Sequence, residues 1–131
     1  FATYQLGLLG ADVIRVERIA GDDFVRYHGG TEAMKSAGLG ASFLSQNASK
    51  KSICLDLKSD QGKELFLRLA TGADVIMENF RPGVVDRLGV GFDAIKAVKP
   101  DIIYCSLSGY GSGVRWPAHQ PMTIYFRAYP A

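Results

Sequence analysis

The sequence predicts an α/β fold, a Rossmann-like parallel sheet with flanking helices, incomplete at both ends. Three observations carry this reading. Apolar runs at 12–17, 52–57, 74–77 and 102–108 have the length of strands and are too short for helices. Helical segments follow in alternation with the later runs, and that alternation argues for parallel pairing. Each run also stops abruptly, at Glu17-Arg18, Lys58-Ser59, Glu78-Asn79 and Gly109. In open α/β sheets the loops at the carboxyl ends of strands carry the ligands.

Taken in order, Phe1 to Leu9 has apolar residues at 1, 4, 8 and 9 and reaches Gly10, a helix with a glycine stop. Asp12 to Glu17 alternates apolar and polar residues and reads as a strand. Gly21 to Gly30 is a polar turn region. Asp22, Asp23 and His28 lie there among glycines without regular spacing, so a solvated loop is favoured over a metal site. Thr31 to Ala41 reads as one weak helical turn interrupted by Gly38 and Gly40, and Ser42 to Gln46 as a short link.

The basic turn Asn47 to Lys51 leads into the strand Ser52–Leu57. Ser59 is a good N-cap, and Asp60 in the first turn complements the helix dipole. The helix that follows, Asp60 to Thr71, carries Leu65, Phe66, Leu67, Leu69 and Ala70 and stops at Gly72. Asp74 to Met77 starts a buried strand that gives way to Glu78, Asn79, Phe80 and Arg81. Pro82 suits a first helical turn, where no amide donor is needed, with Val84, Val85 and Leu88 on its apolar side. Phe92 to Val98 is a short helix stopped by Lys99-Pro100, and Ile102 to Ser108 is a buried strand. Gly109 to Gly113 is a loop, and the tail after it holds three prolines and no regular period.

Composition narrows the function classes. The chain has 131 residues, enough for one domain with a moderate core. Its 47% hydrophobic and 21% charged residues are those of an ordinary globular protein. A net charge of +2, with no long Lys/Arg run, does not point to nucleic acid. No apolar stretch approaches the roughly 18 residues of a membrane span, and no signal peptide is evident. Cys54 and Cys105 lie in apolar runs and are expected as buried, reduced thiols, which fits a cytoplasmic location, with a pairing of the two as the alternative. The start at Phe1 and the end at Ala131 suggest a piece of something longer.

The strand ends define the candidate site. Arg18, Lys58 and the Asn79-Phe80-Arg81 set place positive charge along one expected edge, a reasonable cradle for a phosphorylated ligand. An amide, an aromatic face and a guanidinium side by side suit an adenine ring and a phosphate. Read alone, those residues also fit an ordinary strand-to-helix loop with a solvated arginine. The spacing of Gly109, Gly111 and Gly113 is not a dinucleotide fingerprint. Ser108 is not in the elbow of a serine hydrolase.

Gly10 to Arg18 (GADVIRVER), Asn47 to Lys58 (NASKKSICLDLK), Ala73 to Gly89 (ADVIMENFRPGVVDRLG) and Ile103 to Gly111 (IYCSLSGYG) occur in this order. Together they resemble the class III CoA-transferases, the family of formyl-CoA:oxalate and carnitine CoA-transferases and of α-methylacyl-CoA racemase. The resemblance covers residues 2 to 118. It implies a large Rossmann-like domain plus a small domain, two chains interlocked as a homodimer, and CoA along the carboxyl edge of the sheet. Residues 1–131 would then be part of the CoA-binding large domain, with the small domain absent.

By the same resemblance, Arg18 contacts the CoA nucleotide and Leu55, Asp56, Leu57 and Lys58 line it. Asn79, Phe80 and Arg81 hold its adenine and phosphate end, and Arg87 adds a phosphate contact. For Arg18 the plain alternative is a salt bridge to Glu17 or a nearby acid, and for Arg87 a solvated side chain. The side chain of Asp56 is also placed to cap the next helix.

The implied reaction transfers CoA between an acyl-CoA and a carboxylic acid. An aspartate attacks the thioester, giving a mixed anhydride and then an aspartyl-CoA thioester, so that one hard transfer becomes easier steps. In the family that aspartate lies well beyond the loop matched by Gly109 to Gly113, in a Gly-Asp context, whereas every aspartate of this chain precedes that loop. The racemase branch needs a His-Asp pair where this tail reads Pro121-Met122-Thr123-Ile124. His119 stands nearby at a position the family fills variously, and a surface role is expected for it. No catalytic residue and no metal site is therefore assigned. Two departures remain: the family's first strand with its Ala-Gly-Pro turn would precede Phe1, and the tail from Met122 leaves the family pattern. The expectation is a CoA-binding fragment of a transferase, inactive alone. A non-catalytic CoA or nucleotide module, a racemase-type relative, and a scaffold without ligand are the alternatives.

Overall fold

The computed structural model describes residues 1–19 and 23–108, together with the backbone of strand 125–129. The chain divides into two compact units, Phe1–Asp56 and Leu57–Ala131. Both mix short parallel strands with flanking helices, as the alternation in the sequence predicts.

In the first unit, helix α1 (Ala2–Leu8) leads to strand β1 (Ile14–Glu17), a single 3-10 turn (Phe24–Tyr27), helices α2 (Glu32–Ser36) and α3 (Ala41–Asn47), and strand β2 (Lys51–Cys54). β1 and β2 are parallel, with Ile14 opposite Lys51 and Glu17 opposite Cys54. The region expected as one interrupted turn and a link holds two helices. Thr31 caps α2 by accepting the Met34 N–H, and Gly40 opens α3. The glycines at 38 and 40 thus separate two helices where the sequence suggested that they break one. α1 leaves Phe1, Leu6, Leu8 and Leu9 exposed, so its apolar side is not buried within this unit.

The second unit begins with helix α4 (Asp60–Thr71), whose N-cap Ser59 accepts the Gly62 N–H at 3.0 Å as its sequence predicts. Strand β3 (Val75–Glu78), helices α5 (Val84–Arg87) and α6 (Phe92–Val98), and strands β4 (Ile103–Ser108) and β5 (Tyr125–Tyr129) follow. β3 and β4 are parallel, with Val75 opposite Ile103 and Glu78 opposite Ser106. β5 lies antiparallel on the other side of β4. This strand falls in the tail for which no element was expected, and it makes the sheet mixed. The core gathers Ala70, Ile95, Ile102 and Tyr104, with Phe66, Leu67, Ala73, Ile76 and Phe92 packed around it. Phe92 meets Tyr104 edge-on at 5.6 Å between ring centroids.

Two expectations need correction. Pro82 does not open a helix: Gly83, in left-handed backbone (φ 76°), is the N-cap and α5 starts at Val84. Pro82 therefore sits in the turn ahead of it, where its fixed φ is equally compatible. Nor are both cysteines buried. Cys54 is exposed and Cys105 half-buried, and both are free thiols. Cys54 closes a four-residue strand whose burial does not alternate in the way its apolar run suggested.

Candidate functional site

The parallel register decides what leaves each carboxyl edge. In the first unit Glu17 and Cys54 end their strands side by side, and the Leu55 N–H donates to the Glu17 carbonyl at 2.9 Å. Arg18 and Leu55 therefore emerge together. Leu55 is buried, at 5% exposure, while Arg18 is exposed. Among the described residues Arg18 makes no hydrogen bond or ion pair, so the alternative of a salt bridge to Glu17 is not what forms. Asp56 follows Leu55, exposed and already engaged by a neighbouring group.

Glu17 is instead bound on every side by residues that sequence reading did not single out. Arg26 donates Nε to its Oε2 at 3.0 Å and Nη2 to its Oε1 at 2.7 Å. The Ser52 hydroxyl donates to Oε1 at 2.7 Å, and Arg15 lies 3.6 Å from the same oxygen. The Arg26 guanidinium carbon rests 3.9 Å from the Phe43 ring centroid, and Arg15 adds a second cation at 5.2 Å. The forked bond from Arg26 outweighs the cost of burial and holds the Glu17 carboxyl down to about 2. Arg15 also pairs with Asp23 and donates to Asn47 Oδ1 at 2.7 Å. Nothing local in the sequence announces this cluster, because its members come from distant turns.

Asp23, weighed as a metal ligand, accepts the Val25 N–H at 3.2 Å besides pairing with Arg15. His28 lies against Phe24, with ring centroids 5.9 Å apart. Asp22, the Gly109–Gly113 loop and His119 lie outside the described residues. Among the described residues, no three His, Cys, Asp or Glu side chains gather as metal ligands. No helix there is long and apolar enough to cross a membrane.

The second unit holds Leu57, Lys58, Asn79, Phe80, Arg81 and Arg87. Half-buried Leu57 and exposed Lys58, itself engaged by a neighbour, lead into the Ser59 cap. Asn79, Phe80 and Arg81 form the loop after β3, as the sequence predicts. The Asn79 amide donates Nδ2 to the Leu107 carbonyl at 2.7 Å, tying this loop to the end of the neighbouring parallel strand β4. One amide N–H is spent on structure, and among the described residues the second N–H and Oδ1 have no partner. The Phe80 N–H donates to Glu78 Oε2 at 2.7 Å. Phe80 is 45% exposed and Arg81 exposed.

Gly83 brings the turn back toward α5. Its left-handed backbone (φ 76°) favours glycine there, and the Arg87 Nη1 atom lies 3.3 Å from where a Cβ would stand. Exposed Arg87 thus folds over the turn that begins at Arg81. The loop offers an aromatic face, part of an amide and two guanidinium groups within one turn of chain. Guanidinium forks match phosphate oxygens, and an exposed ring can stack on a base.

Comparison with known proteins bears on the family and the fold. The family model described as CoA-transferase family III matches residues 1–126. Human succinyl-CoA:glutarate CoA-transferase is 42% identical over 115 residues, 85% of this chain and 25% of that protein. Formyl-CoA:oxalate CoA-transferase of Streptomyces coelicolor is 39% identical over 115 residues, 86% of this chain and 26% of that protein. The crystal structure of a CAIB/BAIF family protein from Brucella suis superposes with a TM-score of 0.74 at 39% identity, covering 86% of this chain and 30% of that one. The chain therefore spans about a quarter of the length of these curated relatives. With the family match covering nearly its whole length and a solved relative sharing its fold, the chain belongs to CoA-transferase family III.

Proposed function

We propose that residues 1–131 bind the nucleotide end of coenzyme A for a protein that transfers CoA between an acyl-CoA and a carboxylic acid. The observation that carries this reading is the loop Asn79-Phe80-Arg81, fastened to the end of β4 through Leu107 with its ring and guanidinium left at the surface. Arg81 and Arg87 take phosphate oxygens, Phe80 offers its face to the adenine, and the remaining polar atoms of Asn79 read the ring edge. Arg18, uncommitted among the described residues, supplies a further cation, and Leu55, Asp56, Leu57 and Lys58 line the nucleotide.

Family membership supports acyl-CoA and a carboxylate as the substrates. The aspartate that would form the mixed anhydride is not among residues 1–131 on this reading, so this stretch binds and does not transfer. The working protein is a cytoplasmic homodimer. A CoA or nucleotide module without catalysis is the second reading, favoured by the lack of any aspartate after Gly109 within residues 1–131. Fusing the remaining length of a family relative to this chain separates the two, because only the first predicts that acyl transfer appears.

Calorimetric titration with CoA, with AMP as control, at low and high salt tests the binding. Saturable binding of CoA that is lost in Arg18→Ala/Arg81→Ala supports the site. A folded chain that takes up no CoA would leave the family name as ancestry alone.

A further inference from the structure

We propose that Glu78 is a positioning residue for this site, holding Phe80 and Arg81 in a ligand-ready loop by accepting the Phe80 N–H. The inference rests on the CoA-binding reading of the same loop. Glu78 is the last residue of β3, and its half-buried side chain turns forward along its own chain. The bond from Phe80 N to Glu78 Oε2 is 2.7 Å long, and the Asn79 Nδ2 bond to the Leu107 carbonyl is also 2.7 Å. Two consecutive residues thus fasten the strand's end at two points, one along the chain and one across the sheet. Beyond these bonds the Arg81 guanidinium makes no hydrogen bond or ion pair among the described residues.

Charge alone argues against a carboxylate at this place. A phosphate ligand a few residues away would be repelled by it, and no arginine or lysine among the described residues neutralises Glu78. Its charge also reaches β4, where the Cys105 thiol is pushed up by burial and, to a smaller extent, by Glu78. What a glutamate supplies here is a strong acceptor with the reach to meet an amide two residues ahead. A free backbone N–H at the loop would otherwise let Phe80 rotate, and binding would then have to order the loop first.

Two replacements separate geometry from charge. Glu78→Gln keeps an oxygen acceptor and removes the charge, while Glu78→Ala removes both. With the full 131-residue chain, CoA affinity should fall about tenfold in Glu78→Ala, and Glu78→Gln should restore it to within about threefold of the starting protein. Amide exchange, followed by NMR without ligand, should show the Phe80 amide protected in the starting chain and in Glu78→Gln but not in Glu78→Ala. The Ile103 amide, which donates to the Asp74 carbonyl at 3.1 Å, should stay protected in all three as a check on the sheet. Equal affinities in all three, or a Glu78→Gln as weak as Glu78→Ala, would overturn the proposal, as would an unprotected Phe80 amide in the starting chain. If no form binds CoA, the binding reading fails, and the exchange pattern alone then decides whether Glu78 holds the loop.

Discussion

Arg26 closes a two-pronged bond on Glu17, at 3.0 and 2.7 Å, while its guanidinium lies 3.9 Å above the Phe43 ring. One side chain thereby joins the end of β1, the 3-10 turn and helix α3. A third donor, Nη1, reaches the Gly38 carbonyl at 3.3 Å. Among the described residues of the first unit Leu55 is the one buried hydrophobic, so this polar joint has an unusual share in holding the unit together.

Removing one partner of the joint should show this. The Glu17 side chain is only 9% exposed, and Arg26→Gln strips it of its two strongest bonds, which should cost about 1 to 3 kcal/mol at neutral pH. The pH dependence has a definite sign. Glu17 titrates near 2 in the folded chain against an ordinary 4.5, so it favours the folded state fully above about pH 4.5. That contribution drains away as the pH falls toward 2. Urea unfolding between pH 7 and pH 2 should therefore give a shallower acid limb for Glu17→Gln. An unchanged limb would mean that the pair does not stabilise the fold.

The approach of the chain around Gly40 gives a second test. A Cβ there would stand 2.7 Å from the His28 carbonyl oxygen and 2.8 Å from that of Arg26, both backbone atoms that cannot swing aside. Gly40→Ala should cost roughly 1 to 3 kcal/mol by overpacking, and it also strains the 2.7 Å bond from the Gly40 N–H to the Arg26 carbonyl. At Gly38 a Cβ meets nothing, and only the left-handed backbone (φ 66°) is penalised, by about 1 kcal/mol. Unfolding midpoints for the two variants should rank in that order. Equal midpoints would show that the close approach relaxes freely.

How much of this was legible in the sequence follows from the reach of each interaction. The α4 cap at Ser59, the β3 run and the loop at Asn79 to Arg81 were readable because residues a few places apart decide them. β5 was not, because an aromatic segment in a proline-containing tail becomes a strand only through its partner β4. Exposure of Cys54 escaped for the same reason: an apolar run says that a strand forms, not how deeply it is covered. In the site, Asn79, Phe80 and Arg81 were read correctly as a loop, and Arg87 lies in the short helix α5 that follows it. The bonds to Leu107 and from Glu78 needed the register of β3 against β4 and a side-chain rotamer. The Glu17–Arg26–Phe43 joint left no local signal, since its members are brought together only when the first unit folds.

Thiol chemistry can check the corrected cysteine environments. Cys54 is exposed, whereas Cys105 is half-buried and its thiol is pushed up by burial and by Glu78. Reaction depends on the thiolate and on access. A thiol reagent at pH 8 should therefore give a fast phase removed by Cys54→Ser and a slow phase removed by Cys105→Ser. Two equal phases, or a fast phase that belongs to Cys105, would contradict these placements.

The last prediction asks whether the loop after β3 divides its labour between stacking and charge. Arg81 and Arg87 are exposed, so their attraction to phosphate is screened by salt over a Debye length of roughly 10 Å at 0.1 M. Phe80, 45% exposed, would act through contact with a base and feel little of that screening. Calorimetry at low and high salt should show Arg81→Ala weakening CoA binding about tenfold at low salt and distinctly less at high salt. Phe80→Ala should weaken it by a similar factor at both. AMP, with one phosphate, should lose less than CoA on replacement of Arg87. If Arg81→Ala and Phe80→Ala respond identically to salt, stacking and charge are not separable in this loop, and the division of roles assigned to its residues is wrong.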